Sequence, residues 1–197
     1  MTTSSRRAFL VDAPRPGVDH VEGFLVLDFD GVLNSLDQEV DRSSLPTVAG
    51  STGRPLPINM VDDEILDALQ GALRPGVMVA WLTSWGSLIS QVEELLGGRL
   101  RGGFVVAERP NGFYVPADWK YEAFLTLRGQ WPNARTAWSD DDAIPMAIRY
   151  NSSAGLSDAL LVAPNPEVGL TLQDARQMAE HLSSGRGIPA APESQRN

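Results

Sequence analysis

The chain has 197 residues, 25 acidic against 16 basic side chains, a formal net charge of −9 and no cysteine. That length suits one well-buried domain and is short for two large ones. The acid excess argues against a broadly basic nucleic-acid-binding surface, and the lack of cysteine excludes disulfides, thiolate metal sites and cysteine nucleophiles.

The first residues, 1-MTTSSRRAFLVDAPRPG-17, carry an Arg6-Arg7 pair, but Asp12 and Pro14 break the apolar segment too early for an export signal. Nowhere does the chain approach the roughly 20 uninterrupted apolar residues of a membrane span, so a cytoplasmic protein is expected. Residues 1–20 read as an N-terminal extension, with the folded domain over 21–183.

The first predicted strand, 24-FLVLDF-29, runs into Asp28 and Asp30 and then Gly31. If the strand continued through them, the two carboxylates would face the same way. Like charges that close repel and desolvate one another unless a cation or a reaction uses them. Taken alone, a strand end and a turn with Gly31 at positive φ would also account for the pair.

The interval 35–59 is polar, with prolines and glycines, and suits a flap and an extended loop. Residues 61–73 place Ile65, Leu66, Leu69 and Leu73 on one helical face, with acids in the first turn. A second strand, 77-VMVAWL-82, ends in Thr83, Ser84 and Trp85, and a helical pattern over 85–98 stops at Gly97-Gly98. The third strand is 104-FVVA-107, followed by a short interval, 108–118, that suits a turn or small hairpin. A helix over 117–129 carries Lys120, the sole lysine of the chain. The fourth strand, 135-RTAWS-139, runs into Asp140, Asp141 and Asp142 and a short helix. A fifth strand, 159-ALLVA-163, precedes a helix over 171–182, and the polar tail 184–197 is expected to be disordered.

Alternation of strand and helix predicts an α/β fold, a Rossmann-like three-layer sandwich with a central, mainly parallel five-stranded sheet. In such folds ligands bind outside the carboxyl ends of the strands, where the oxygen-bearing residues collect here.

A hydrophobic strand into Asp-x-Asp-Gly, a second strand ending in Thr, a lysine after the third strand and paired acids after the fourth occur in order over residues 24–142. This set resembles the haloacid dehalogenase-type phosphohydrolases, and the fifth strand extends the likeness to about residue 163. The Trp-x-Asp-Asp form at 138–141 and the later 168-VGLTLQD-174 are similar to small domains of RNA-repair-associated and actinobacterial or phage proteins.

The resemblance implies magnesium-dependent hydrolysis of a phosphomonoester through an aspartyl-phosphate. Asp28 would be the nucleophile and Asp30 the general acid and base. Asp28, the backbone carbonyl of Asp30, and Asp140 would hold Mg2+, a hard cation that prefers oxygen, with Asp141 close by or acting through water. Thr83 and Lys120 would donate to the phosphoryl oxygens. Plainer readings stand beside these. Thr83 or Ser84 would cap the next helix, the acidic run would form a first helical turn, and Lys120 would be a surface residue. Three aspartates in a row also leave the register of the metal ligands open by one residue.

Neither polar interval suits a folded cap, so the resemblance implies a capless, open site. The expected partner is a phosphorylated substrate, with nucleotides or nucleic-acid ends first. Another phosphorylated metabolite, or a non-catalytic metal- and phosphate-binding regulatory module, are the alternatives. Oligomeric state is left open. Arg42, Arg54 and Arg109 are candidate phosphate contacts from the loops or solvated surface residues. Trp81, Trp131 and Trp138 read as core, while Trp85 and Trp119 stand beside proposed site residues as candidate substrate contacts. His20 and His181 lie outside every motif.

Overall fold

In the computed structural model of the chain, residues 20–49, 55–107, 109, 118–149, 156 and 158–184 are described. The extension before His20, Arg54, the tail beyond Ser184 and most of the 108–118 interval lie outside them.

The first strand, β1 (Gly23–Leu27), explains the layering. Its apolar residues alternate between two cores, Leu25 and Leu27 on one face and Phe24 and Val26 on the other, all fully or almost fully buried. A strand with no solvated face needs covering on both sides, which is what a parallel α/β sheet provides. Each such side chain contributes about 1.5–3 kcal/mol through its burial.

Beyond β1, the described residues of the interval 35–59 include a short 3-10 helix (Arg42–Ser44) and a small antiparallel pair, β2 (Thr47–Ala49) with β3 (Pro55–Pro57). Next come α1 (Asp63–Gln70), β4 (Val77–Trp81), α2 (Ile89–Leu95) and β5 (Phe104–Val105). The rest is α3 (Trp119–Gln130), β6 (Arg135–Ser139), α4 (Ala143–Arg149), β7 (Leu160–Val162) and α5 (Leu172–Ser183). The main sheet has the order β5-β4-β1-β6-β7 and is parallel throughout.

Helices α1, α2 and α5 cover the face lined by Leu25, Leu27 and Trp81; α3 and α4 cover the face lined by Phe24, Val26 and Trp138. Trp138 stacks on Phe124 of α3 at a centroid distance of 4.3 Å. Helix α5 opens on a capping box, with the Thr171 hydroxyl accepting from the Asp174 N–H and the Asp174 carboxylate accepting from the Thr171 N–H. No helix among the described residues is long and apolar enough to cross a membrane.

The five-stranded parallel sheet matches the expectation from sequence; β6 has the expected bounds and the other four strands are shorter. β1 stops at Leu27, two residues before the end of the apolar run. The N–H groups of Val32, Leu33 and Asn34 all converge on the Phe29 carbonyl and curl the chain into a turn. Asp28 and Asp30 therefore do not lie on one strand face.

Candidate active site

β1 lies at the centre of the sheet, and the chain leaves it first toward β4 and β5, then crosses to β6 and β7 on the other side. That reversal makes the carboxyl end of β1 a topological switch point, the crevice where open α/β sheets bind ligands. Register brings three strand ends level, because Leu27 pairs with Trp81 on one side and Ser139 on the other. Asp28, Thr83 and Asp140 follow these strands directly or within two residues.

Three carboxylates converge there. Asp28, Asp140 and Asp141 each offer an oxygen, and these atoms lie within 4.8 Å of one another. Asp28 and Asp140 are buried, Asp140 completely. Lys120, in the first turn of α3, donates to Oδ2 of Asp28 and, at 2.9 Å, to Oδ2 of Asp140. Its side chain is only 12% exposed, so the surface reading of this lysine does not describe it. The remaining oxygens are also engaged. Oδ1 of Asp28 accepts from the Phe29 N–H at 2.6 Å, and Oδ1 of Asp140 accepts from the N–H groups of Asp142 and Ala143 at 3.1 and 2.7 Å. Asp140 thus caps the start of α4 with one oxygen and faces Lys120 with the other. Asp142 is exposed and stands outside the cluster.

One ammonium against three carboxylates leaves an excess of negative charge. Burial pushes the Asp28 carboxyl from 3.8 up to about 7, with Asp140 adding to the shift and Lys120 opposing it. Burial and then Asp140 raise Asp141 as well. Lys120 is raised too: its burial favours the neutral amine, but the carboxylates of Asp28 and Asp140 outweigh that and hold it charged. Clustered oxygen donors with uncompensated charge fit a hard divalent cation such as magnesium. Gly31 makes the cluster possible. It sits at φ +74°, and a methyl group there would run into the Asp141 carboxylate.

Asp30 is held elsewhere. Its Oδ1 accepts from Asn34 Nδ2 and its Oδ2 from Trp85 Nε1, both at 2.7 Å. Neither donor is assigned a role by the motif order. The available signals were modest: an amide four residues after Asp30, and an indole two residues after Thr83. Trp85 packs edge-on against Phe29 at a centroid distance of 5.0 Å. Thr83 is fully buried and its Oγ1 accepts from the Trp85 N–H at 3.3 Å, whereas Ser84 is exposed.

The other candidates fall away from the cluster or remain peripheral. Trp119 is half-buried against the core between the sheet and α3. Arg42 and Arg109 are exposed, and Arg54 lies outside the described residues. His20 precedes β1, and His181 accepts through its carbonyl from Arg135 at the start of β6, so both stand at the amino edge of the sheet. The segment 168–174 braces the site from behind. Leu170 N–H donates to the Val32 carbonyl at 2.8 Å, and Gly169, at φ +77°, lets the two backbones approach where a Cβ would stand 2.8 Å from that same oxygen.

No protein-family model matches the sequence, and no curated protein matches it. Among solved structures, the HAD domain of the effector protein Lem4 from Legionella pneumophila matches with a TM-score of 0.51 at 14% identity, over 84% of this chain and 99% of that one. An inactive mutant of the same domain matches with the same score and identity over 80% and 92%. The 3-deoxy-D-manno-octulosonate 8-phosphate phosphatase from Moraxella catarrhalis, solved with magnesium, phosphate and KDO, reaches a TM-score of only 0.40 at 16% identity, over 84% and 87%, and carries no weight in the assignment. The order of the sheet, its layers and the Lem4 match agree: this chain has the fold of a HAD, or haloacid dehalogenase-type, domain.

Proposed function

We propose that the chain is a magnesium-dependent phosphomonoester hydrolase that works through an aspartyl-phosphate on Asp28, with residues 21–183 as its catalytic domain. The observation that carries this reading is the buried pair Asp28 and Asp140 bridged by Lys120, with Asp141 beside it, at the switch point of the sheet. Asp28, Asp140 and Asp141, with the Asp30 carbonyl, would hold the metal. When bound, magnesium offsets the charge of the carboxylates and of the incoming phosphate.

In the first half-reaction an Asp28 oxygen forms a bond to phosphorus while the bond to the leaving oxygen breaks, and Asp30 gives that oxygen its proton. In the second, Asp30 takes a proton from water as the water oxygen attacks phosphorus, and the bond to Asp28 breaks to release inorganic phosphate. Lys120 and the Thr83 hydroxyl donate to phosphoryl oxygens as charge moves onto them.

The described part of the 35–59 interval forms a short 3-10 helix and the β2–β3 pair, which supports an open, capless site. Such a site admits a phosphate carried on a large molecule, so nucleotides and phosphorylated nucleic-acid ends come first in a substrate screen. The deciding experiment measures phosphate release from 4-nitrophenyl phosphate with and without magnesium. Release is expected to require the metal and to vanish in Asp28→Asn; undiminished turnover in that variant would sink the mechanism.

A further inference from the structure

Asp30 is the proposed catalytic side chain that Lys120 does not hold. Both of its oxygens instead accept from neutral donors, Asn34 Nδ2 and Trp85 Nε1, each at 2.7 Å. The donors come from different elements, the turn after β1 and the turn after β4, so they constrain the carboxylate plane from two directions. Each donor is itself fixed. The Trp85 ring rests edge-on against buried Phe29, and its backbone N–H donates to Thr83 Oγ1. Asn34 is buried, and its Oδ1 accepts from the Asn59 N–H at 2.7 Å, on the chain returning from the β2–β3 pair.

A general acid must reach the leaving oxygen in one geometry, and a carboxylate free to rotate spends little time in it. Each carboxylate oxygen has two lone pairs, so the two N–H donors leave a site for the transferred proton.

We infer that Trp85 and Asn34 are positioning residues that aim Asp30 for proton transfer, with Asn34 tying that aim to the returning flap. The inference rests on the proposed role of Asp30 as proton donor. Its consequence is selective. Positioning matters most for a leaving alkoxide that needs its proton to depart, and least for a phenolate that departs as a stable anion.

The test is kcat/KM over a series of aryl and alkyl phosphates graded by the acidity of the leaving alcohol. Trp85→Phe keeps an aromatic ring against Phe29 and removes the N–H donor along with part of the indole surface. It is expected to lose about tenfold or more on alkyl phosphates and less than about threefold on 4-nitrophenyl phosphate. Asn34→Leu keeps the branching of the side chain while removing the donor, and should steepen the same dependence. In an Asp30→Asn background, Trp85→Phe should cost nothing further, because a residue that acts through another is not additive with it. Equal loss across the series, or full loss persisting in the Asp30→Asn background, overturns the positioning role alone. A wild-type chain that turns over no member of the series overturns the reading of the site, and this inference with it.

Discussion

Two cations in this chain each straddle two carboxylates, and they do opposite things. Lys120 lies between Asp28 and Asp140, with side-chain exposures of 12%, 7% and 0%. Arg99 lies between Asp63 and Asp67 of α1, contacting them at 3.2 and 2.7 Å, with exposures of 28%, 77% and 63%. The connectivity is the same; the dielectric is not. Water screens the Arg99 group and leaves it a modest surface bridge. Around Lys120 little water remains, so each charge is felt strongly, and a further carboxylate, Asp141, adds to the negative excess. Burial turns one of two similar acidic groups into a candidate metal and phosphate site.

The largest effect should come from removing the buried cation. Lys120→Met keeps the length of the side chain and takes away its charge, so turnover should fall by roughly a hundredfold or more. Because it leaves Asp28 and Asp140 buried without their counter-charge, the metal-free protein should also lose about 3 kcal/mol in denaturant titration. A variant as active and as stable as wild type would break the contrast with Arg99.

An intermediate effect is expected from pH. In the folded chain Asp28 keeps its proton up to about 7, whereas the unfolded chain releases it near 3.8. The native state binds the extra proton between those values, so its stabilising contribution is full below the lower one and is lost as pH rises through the upper. Metal-free protein should therefore melt at falling temperature across that window. Asp28→Asn should flatten the slope, and magnesium should restore more stability at the neutral end than at the acid end. Identical melting profiles for wild type and Asp28→Asn would count against the buried charge excess.

The smallest effect belongs to the exposed group. Arg99→Ala should cost below about 1 kcal/mol, weaken further in salt, and leave turnover unchanged. A loss as large as that of Lys120→Met would erase the distinction between the two groups.

Much of the fold was legible from strand and helix patterns, because nearly continuous apolar runs such as 24-FLVLDF-29 and 77-VMVAWL-82 have few other uses. The β2–β3 pair was less so: Thr47–Ala49 and Pro55–Pro57 are short, proline-bearing and polar-flanked, and only their antiparallel pairing defines them. Strand ends were read too long at Asp28 and beyond, since apolar Phe29 looks like strand while its carbonyl in fact collects three N–H groups of a turn.

The order of motifs alone nominated the candidate side chains: Asp28, Asp30, Thr83, Lys120 and the acidic run at Asp140. A residue type recurring at a strand end is a local property, and local properties are written in sequence. Tertiary structure decided the rest. It brought Lys120 to Asp28 across 92 residues, separated Asp141 from Asp142 by how α4 begins, and delivered the Trp85 indole to Asp30 across 55. Those are questions of distance and burial, and they are settled only when parallel strands align their ends and exclude water between them.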